Sequence, residues 1–126
     1  MTPKQITAAY RAALELSNIV LPYKEGRAVL NLKKRLAEEA DIISACEKNM
    51  VKEYGGTVNA DGRCNFPDED TAQKFQAARE AWLEQEDEIN LPKVDLSKHT
   101  NLIRITPAAL EAMDGIVNFG EENTDG

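Results

Sequence analysis

The stretch that decides the fold is residues 27–56, RAVLNLKKRLAEEADIISACEKNMVKEYGG. Apolar residues recur in it at two interleaved positions of a seven-residue repeat: Val29, Leu32, Leu36, Ile43, Cys46 and Met50. Glu39 and Glu53 interrupt the second of these positions. The spacing predicts a long amphipathic helix over Arg27–Tyr54, with one narrow apolar seam. Gly55-Gly56 then supplies a left-handed stop.

A second helical pattern begins after this stop and covers about Pro67–Ile89. Phe75 and Trp82 lie on its apolar face at helical spacing. Between the two helices, Thr57–Phe66 contains the turn Asn59-Ala60-Asp61-Gly62, which is typical of a small β-hairpin. A long helix, a tight break and another helix predict an antiparallel helical hairpin.

The segments that flank this hairpin predict smaller elements. A capping box opens a first helix over Pro3–Val20. Val94–Ile105 alternates in places and predicts one or two short strands, paired either with the Thr57–Phe66 hairpin or with a second copy of the chain. A short last helix and an apolar terminal clip follow, at Ala108–Met113 and Ile116–Phe119.

Together these elements predict a mainly α fold. It consists of a long antiparallel helical hairpin plus an N-terminal helix, with a small β-hairpin or short strands and a short C-terminal helix. A chain of 126 residues argues for one domain, which we place at residues 1–119, with residues 120–126 as a disordered acidic tail. The seam of the long helix is longer than the third helix can cover, so either the N-terminal helix or the second subunit of a homodimer covers the rest.

The charge of the chain is unevenly distributed. The net charge is −7, which disfavours direct binding to nucleic acid. Residues 1–36 carry seven basic and two acidic side chains, whereas residues 37–126 carry eight basic and twenty acidic ones. Either the two poles pair within the domain, or a protein partner binds one of them.

Five acidic residues gather near the predicted end of the third helix. Glu80, Glu84 and Asp87 fall four and three residues apart, and Glu86 and Glu88 lie beside them. Like charges at this spacing repel each other on a helix. The stripe is therefore either a solvated or internally paired face, or a surface that binds a basic protein and imitates a phosphate backbone. These five residues form the predicted partner-binding site.

Few features of the sequence indicate catalysis. His99 is the only histidine, and Cys46 and Cys64 lack the spacing of a zinc or redox motif. No glycine-rich phosphate loop is present. We expect no catalytic residues, no bound metal, no cofactor and no enzymatic activity. Asp68-Glu69-Asp70 opens a helix, where the dipole favours anions; a divalent cation, as in a small metal-assisted hydrolase, is the alternative.

The sequence lacks signals for membranes and export. No apolar run approaches the roughly 20 residues that span a bilayer. No hydrophobic signal-peptide core follows Met1. We expect an intracellular protein that neither contacts a membrane nor is secreted.

The order of several segments resembles a known group of proteins. The segments are Leu32-Lys33-Lys34-Arg35-Leu36, Lys52-Glu53-Tyr54-Gly55, the Asn59–Gly62 turn, Glu80–Ile89, Val94–Ser97, Ile105–Leu110 and Ile116–Phe119. Over residues 28–119 this order resembles an uncharacterised group of small helical proteins encoded by phages and prophages, especially of Gram-positive bacteria. The resemblance implies a phage-encoded, non-enzymatic protein in the cytoplasm of the host bacterial cell, and no catalytic residues carry over from it.

Two functions fit these observations. The first is a protein that binds a basic host protein through the acidic face, as phage-encoded inhibitors of host defence nucleases of the CRISPR type do. The second is a structural or assembly accessory of the phage particle, in its tail or neck. There the strand Leu102–Ile105 and the helix seam would mediate self-assembly.

Overall fold

The computed structural model describes residues 1–120, and it is mainly helical, which confirms the predicted fold class. The helices are α1 (Pro3–Leu16), α2 (Tyr23–Glu53), α3 (Glu69–Leu83) and α4 (Pro107–Ala112), with a 3-10 helix at Ser97–Leu102. The strands are β1 (Thr57–Val58), β2 (Cys64–Asn65), β3 (Val94–Asp95) and β4 (Val117–Asn118). Apart from Gly120, the predicted acidic tail lies outside the described residues.

α2 is the longest helix, with 31 residues, or roughly 46 Å at 1.5 Å per residue. It begins at Tyr23, four residues before its predicted start, because the Pro22 carbonyl already accepts a hydrogen bond from the Gly26 N–H at 2.8 Å. It ends at the predicted stop. Gly55 has a φ of +74°, a backbone conformation that glycine adopts without steric cost.

α1 opens as predicted and ends early. The Thr2 hydroxyl accepts a hydrogen bond from the Gln5 N–H at 3.1 Å, and the Gln5 side chain accepts one from the Thr2 N–H at 2.9 Å. This is the predicted capping box. The helix ends at Leu16, four residues before its predicted end, where the Ser17 hydroxyl donates to the Leu14 carbonyl at 2.8 Å. The side-chain bond competes with continuation of the helix.

The helical hairpin and the small β-hairpin are both present. α3 returns along α2, and the Arg79 Nε donates to Glu47 Oε2 at 3.3 Å between the two helices. In the connection, β1 and β2 pair antiparallel, with Val58 opposite Cys64. The Asn59 N–H donates to the Arg63 carbonyl at 2.8 Å across the turn.

The strand prediction for Val94–Ile105 is right only at its beginning. β3 pairs in parallel with β4, so the partner of Val94 is Val117 in the C-terminal clip. The Asp95 carboxylate accepts a hydrogen bond from the Ser97 N–H at 3.0 Å, and the chain turns there into the 3-10 helix. The predicted strand Leu102–Ile105 does not form.

The main core lies between α1, the first half of α2 and the C-terminal segment from β3 to β4. Its buried residues are Ile6, Ala9, Ala12, Ala13, Leu16, Val29, Leu32, Leu36, Val94, Leu96, Ala109, Met113, Ile116 and Val117. Three of the α1 residues are alanines, and their small side chains let neighbouring elements approach closely. The N-terminal helix therefore covers the first half of the seam, as one of the two sequence-based alternatives proposed.

The seam of α2 is fully buried only near the start of the helix, at Val29, Leu32 and Leu36. Near the end of the helix the buried residue is Val51, which lies outside the predicted seam. Ile43 and Met50 are half-buried and Cys46 is exposed. Cys46 is therefore not a core residue of this chain.

A smaller cluster of aromatic side chains lies at the turn of the helical hairpin. The buried ring of Phe75 has its centroid 4.9 Å from that of Phe66 and 6.2 Å from that of Tyr54. Gly56 approaches this cluster so closely that a Cβ on it would lie 2.6 Å from the Phe66 ring and 2.9 Å from Val51. The cluster packs the β-hairpin against the C-terminal end of α2 and against α3.

Leu32→Ala should lower the free energy of unfolding by about 2–5 kcal/mol, because it leaves a cavity in the main core. The matched control is Leu30→Ala on the same helix, where the side chain is 55% exposed and the expected loss is below about 1 kcal/mol. Urea unfolding followed by circular dichroism measures both. Equal losses would contradict the placement of the core against the first half of α2.

Gly56→Ala should destabilise the domain by about 1–3 kcal/mol, because the new methyl group overlaps the Phe66 ring and Val51. Gly26→Ala is the matched control. Gly26 lies in the first turns of α2, where an added Cβ meets nothing closer than 3.8 Å, so alanine should stabilise the helix by roughly 0.5–1 kcal/mol. Thermal unfolding measures the change in stability of each variant. A change of the same sign for both would refute the close packing at Gly56.

Candidate functional site

α3 ends six residues before its predicted end, and this rearranges the predicted partner-binding site. The helix ends at Leu83, and residues 85–93 have no regular secondary structure. Glu80 lies in the last turns of α3 and Glu84 is its C-cap, whereas Glu86, Asp87 and Glu88 follow on the irregular segment. The predicted helical stripe is therefore wrong. We call residues 84–88 the acidic segment.

Hydrogen bonds and ion pairs hold the acidic segment against the first residues of the chain. The backbones of Met1 and Asp87 exchange two hydrogen bonds, with the Met1 amine 2.6 Å from the Asp87 carbonyl and the Asp87 N–H 3.1 Å from the Met1 carbonyl. The Met1 amine also lies 2.9 Å from a Glu86 carboxylate oxygen. Lys4 Nζ lies 3.6 Å from Glu84 Oε1. These bonds draw the segment toward α1 and compete with continuation of α3.

The predicted site remains acidic after these contacts are counted. Glu84 and Glu86 each have a cationic partner, whereas Glu80, Asp87 and Glu88 form no ion pair within residues 1–120. Five carboxylates against two cations leave a net charge of −3 on this surface. Exposed ion pairs of this kind contribute about 0–1 kcal/mol each to stability. Ion pairs with a partner could therefore replace them at little energetic cost.

A groove opens beside the acidic segment, between the start of α1, the middle of α2 and the end of α3. Its volume is about 240 Å³. Its apolar lining is Pro3, Ile6, Ile42, Ile43, Cys46, Trp82 and Ile89. Three carboxylates, those of Glu39, Glu86 and Asp87, also line it. Glu39 is 14% exposed and accepts a hydrogen bond from Arg35, one turn earlier on α2.

A wider cavity of about 920 Å³ lies on the other side of the acidic segment. Its charged lining residues carry both signs: Lys4, Glu84, Lys93, Glu111 and Asp114. Lys93 Nζ donates to the Gly115 carbonyl, and Lys4 already faces Glu84. This cavity therefore favours neither an anion nor a cation, unlike the groove.

Sequence reasoning found the acidic residues and missed the groove. Its walls include Met1 and Asp87, which are 86 residues apart in the chain. The signal that pointed to it was the contrast between a basic first segment and an acidic remainder. Met1 and Lys4 meet Glu86 and Glu84 as internal pairing predicts.

The other titratable groups that the sequence singled out lie apart from this groove, except for Glu39 and Cys46. Within residues 1–120 no group of three or more His, Cys, Asp or Glu side chains is arranged to hold a metal ion. Asp68 caps α3 by accepting a hydrogen bond from the Thr71 N–H at 2.7 Å, and Asp70 pairs with Lys74 at 3.2 Å. His99 Nε2 lies 3.4 Å from a Glu25 carboxylate oxygen. The cation alternative for Asp68-Glu69-Asp70 thus gains no support.

Comparison with known proteins adds no assignment. No family model, curated protein or solved structure matches the chain. Among residues 1–120, no helix is both long and apolar enough to cross a membrane.

The cap of α3 gives a pH-dependent prediction. Hydrogen bonds from the backbone and side chain of Thr71 lower the pKa of Asp68 below its usual 3.8. Because the folded-state value is the lower one, this carboxylate stabilises the fold above pH 3.8, and the contribution is lost as the pH falls through the folded-state pKa. Asparagine caps helices about as well but does not titrate.

We therefore expect Asp68→Asn to be about as stable as the natural chain at pH 7, and the natural chain to lose stability relative to Asp68→Asn as the pH falls below 3.8. Urea unfolding at a series of pH values measures this difference. Asp68→Ala, which lacks the cap at every pH, serves as the control and should be the least stable variant at neutral pH. A difference that stays constant with pH would refute the role of the Asp68 carboxylate.

Proposed function

We propose that the chain is a non-enzymatic, phage-encoded protein that binds a basic host protein through Glu80 and the acidic segment. The supporting observation is that this segment is held at the surface, with the Asp87 and Glu88 side chains in no ion pair within residues 1–120. The carboxylates of Asp87 and Glu88 are therefore held in place without being neutralised by an ion pair among the described residues.

A fixed acidic surface favours a particular class of partner. Complementary charge accelerates encounter with a basic protein and selects against acidic partners. A row of carboxylates in the groove of a nucleic-acid-binding protein would compete with the phosphates that normally occupy it. The resemblance to phage proteins makes a host defence nuclease of the CRISPR type the leading candidate, with inhibition as the outcome.

Assembly of a phage particle is the second candidate function. The uncovered middle of α2 favours it, since Ile42 and Cys46 are exposed there and a second copy would bury them. The predicted strand Leu102–Ile105, which would have helped in self-assembly, does not form. Sedimentation tests this candidate: a strict monomer at high concentration that is absent from purified particles would exclude it.

Charge reversal tests the binding proposal. Affinity capture from a lysate of the bacterial host should recover a basic protein with the natural chain. The triple variant Glu80→Lys, Glu84→Lys, Asp87→Lys should reduce this capture by at least about tenfold, because it reverses the charge that the partner meets.

A second triple variant separates local charge from net charge. Glu38→Lys, Glu53→Lys and Asp61→Lys replace exposed carboxylates away from Glu80 and the acidic segment. Both variants change the net charge from −7 to −1. The control should keep its partner. Equal capture by the natural chain and the Glu80 triple variant would refute the proposal, provided that circular dichroism shows both to be folded.

A further inference from the structure

The groove lies along the part of α2 that is least covered by the rest of the fold. Residues 37–50 of α2 bury no side chain, although the seam continues there through Ile43 and Cys46. Ile42 is 55% exposed. α1 covers the helix before this stretch, and the aromatic cluster covers it afterwards. Burying apolar surface is worth roughly 25 cal/mol per Å², so an occupant that brings apolar side chains to this gap gains free energy.

The size of the groove indicates what kind of occupant fits. Pockets for small molecules measure roughly 300–1,000 Å³, and this groove, at about 240 Å³, is smaller. Ile42, Ile43 and Cys46 of α2 line it together with Trp82 and Ile89. A helix that lays a few apolar anchors into a hydrophobic groove needs this kind of space. The anchors would contact Ile42, Ile43 and Trp82.

The charge of the groove indicates which polar side chains a bound helix would carry. Its lining holds three carboxylates and no lysine or arginine side chain, and its cations are the Met1 amine and the neighbouring Arg35, each already paired. Among residues 1–120 the Asp87 carboxylate is in no ion pair, and Glu88 lies next to it in the chain. A second copy of this chain has a net charge of −7, and its residues 37–126 would bring mostly like charge to the same place. Basic side chains complement it.

We propose that the groove receives the apolar face of a basic amphipathic helix from the protein partner. This rests on the proposed function and names the part of the partner that is bound. Lysine or arginine side chains beside the apolar anchors face Glu86, Asp87 and Glu88. Ile42, Ile43 and Trp82 therefore provide the hydrophobic contact, and the acidic segment provides orientation and selectivity.

The fluorescence of the natural chain can report whether a peptide binds in the groove. Trp82 is the only tryptophan and it lines the groove, so its fluorescence responds when the groove is filled. The probe is a short synthetic helix of leucine and lysine, with the leucines at i, i+3, i+4 and i+7 spacing. We expect Trp82 emission to shift to shorter wavelength as the probe is added. A lysine and serine peptide of equal charge should bind at least about tenfold more weakly.

Two variants with identical charge change locate the contact. Ile42→Arg places a cation in the groove, whereas Leu30→Arg places one elsewhere on the same helix, and both side chains are 55% exposed in the natural chain. Ile42→Arg should weaken binding of the leucine and lysine probe by at least about tenfold, and Leu30→Arg by less than about twofold. Unfolding curves of both variants confirm that they are folded.

The remaining outcomes overturn the inference in distinguishable ways. If both peptides bind equally and Ile42→Arg has no effect, the groove is not the contact, yet binding through the acidic surface stands. If the probe binds without any change in Trp82 emission, or does not bind at all, the groove inference fails. If sedimentation shows a dimer that Ile42→Arg abolishes, the occupant is a second copy of the chain. Failure of the charge-reversal experiment alone counts against the proposed function.

Discussion

Close packing of α1 against two neighbours is the constraint on which the rest of the structure depends. Ala9, Ala12 and Ala13 are completely or almost completely buried, and such small side chains allow α2 on one side and α4 on the other to come near the α1 backbone. Larger side chains at these positions would separate the layers and open the core. Because α1 is fixed in this way, its first residue is carried to the end of α3. The contact between Met1 and Asp87 follows from that placement.

The candidate site is a consequence of the same arrangement. α1 covers the beginning of α2, and the aromatic cluster around Phe75 covers its end, which leaves no buried side chain in the middle of a helix of about 46 Å. The acidic segment leaves α3 at Leu83 and bends to Met1, so it forms a charged edge beside that gap and does not lie over it. An apolar gap next to fixed carboxylates is a surface suited to a basic amphipathic partner.

Several elements were predictable because their signals are local. The Thr2 and Gln5 capping box, the stop at Gly55 and the turn around Asp61-Gly62 each act within a few residues, and each forms as predicted. The end of α3 was not predictable in this way. Nothing near Ile89 shows that Met1 will offer hydrogen bonds to Asp87, and those bonds compete with further helical turns. The pairing of β3 with β4 was not predicted for a similar reason, because β4 lies beyond the 3-10 helix and α4 in the chain.

The sequence by itself determined the amphipathic character of α2 and its stop at Gly55, the mainly helical class and the acidic composition around Glu84–Glu88. Hydrophobic period, capping residues and charge are properties of neighbours in the chain. Only the tertiary structure decided which part of the seam is buried, where α3 ends, and that Ile42 and Trp82 line a groove beside Asp87. Those features depend on α1 reaching segments more than 80 residues away. The free energy of such contacts is a property of the assembled core, and no local pattern encodes it.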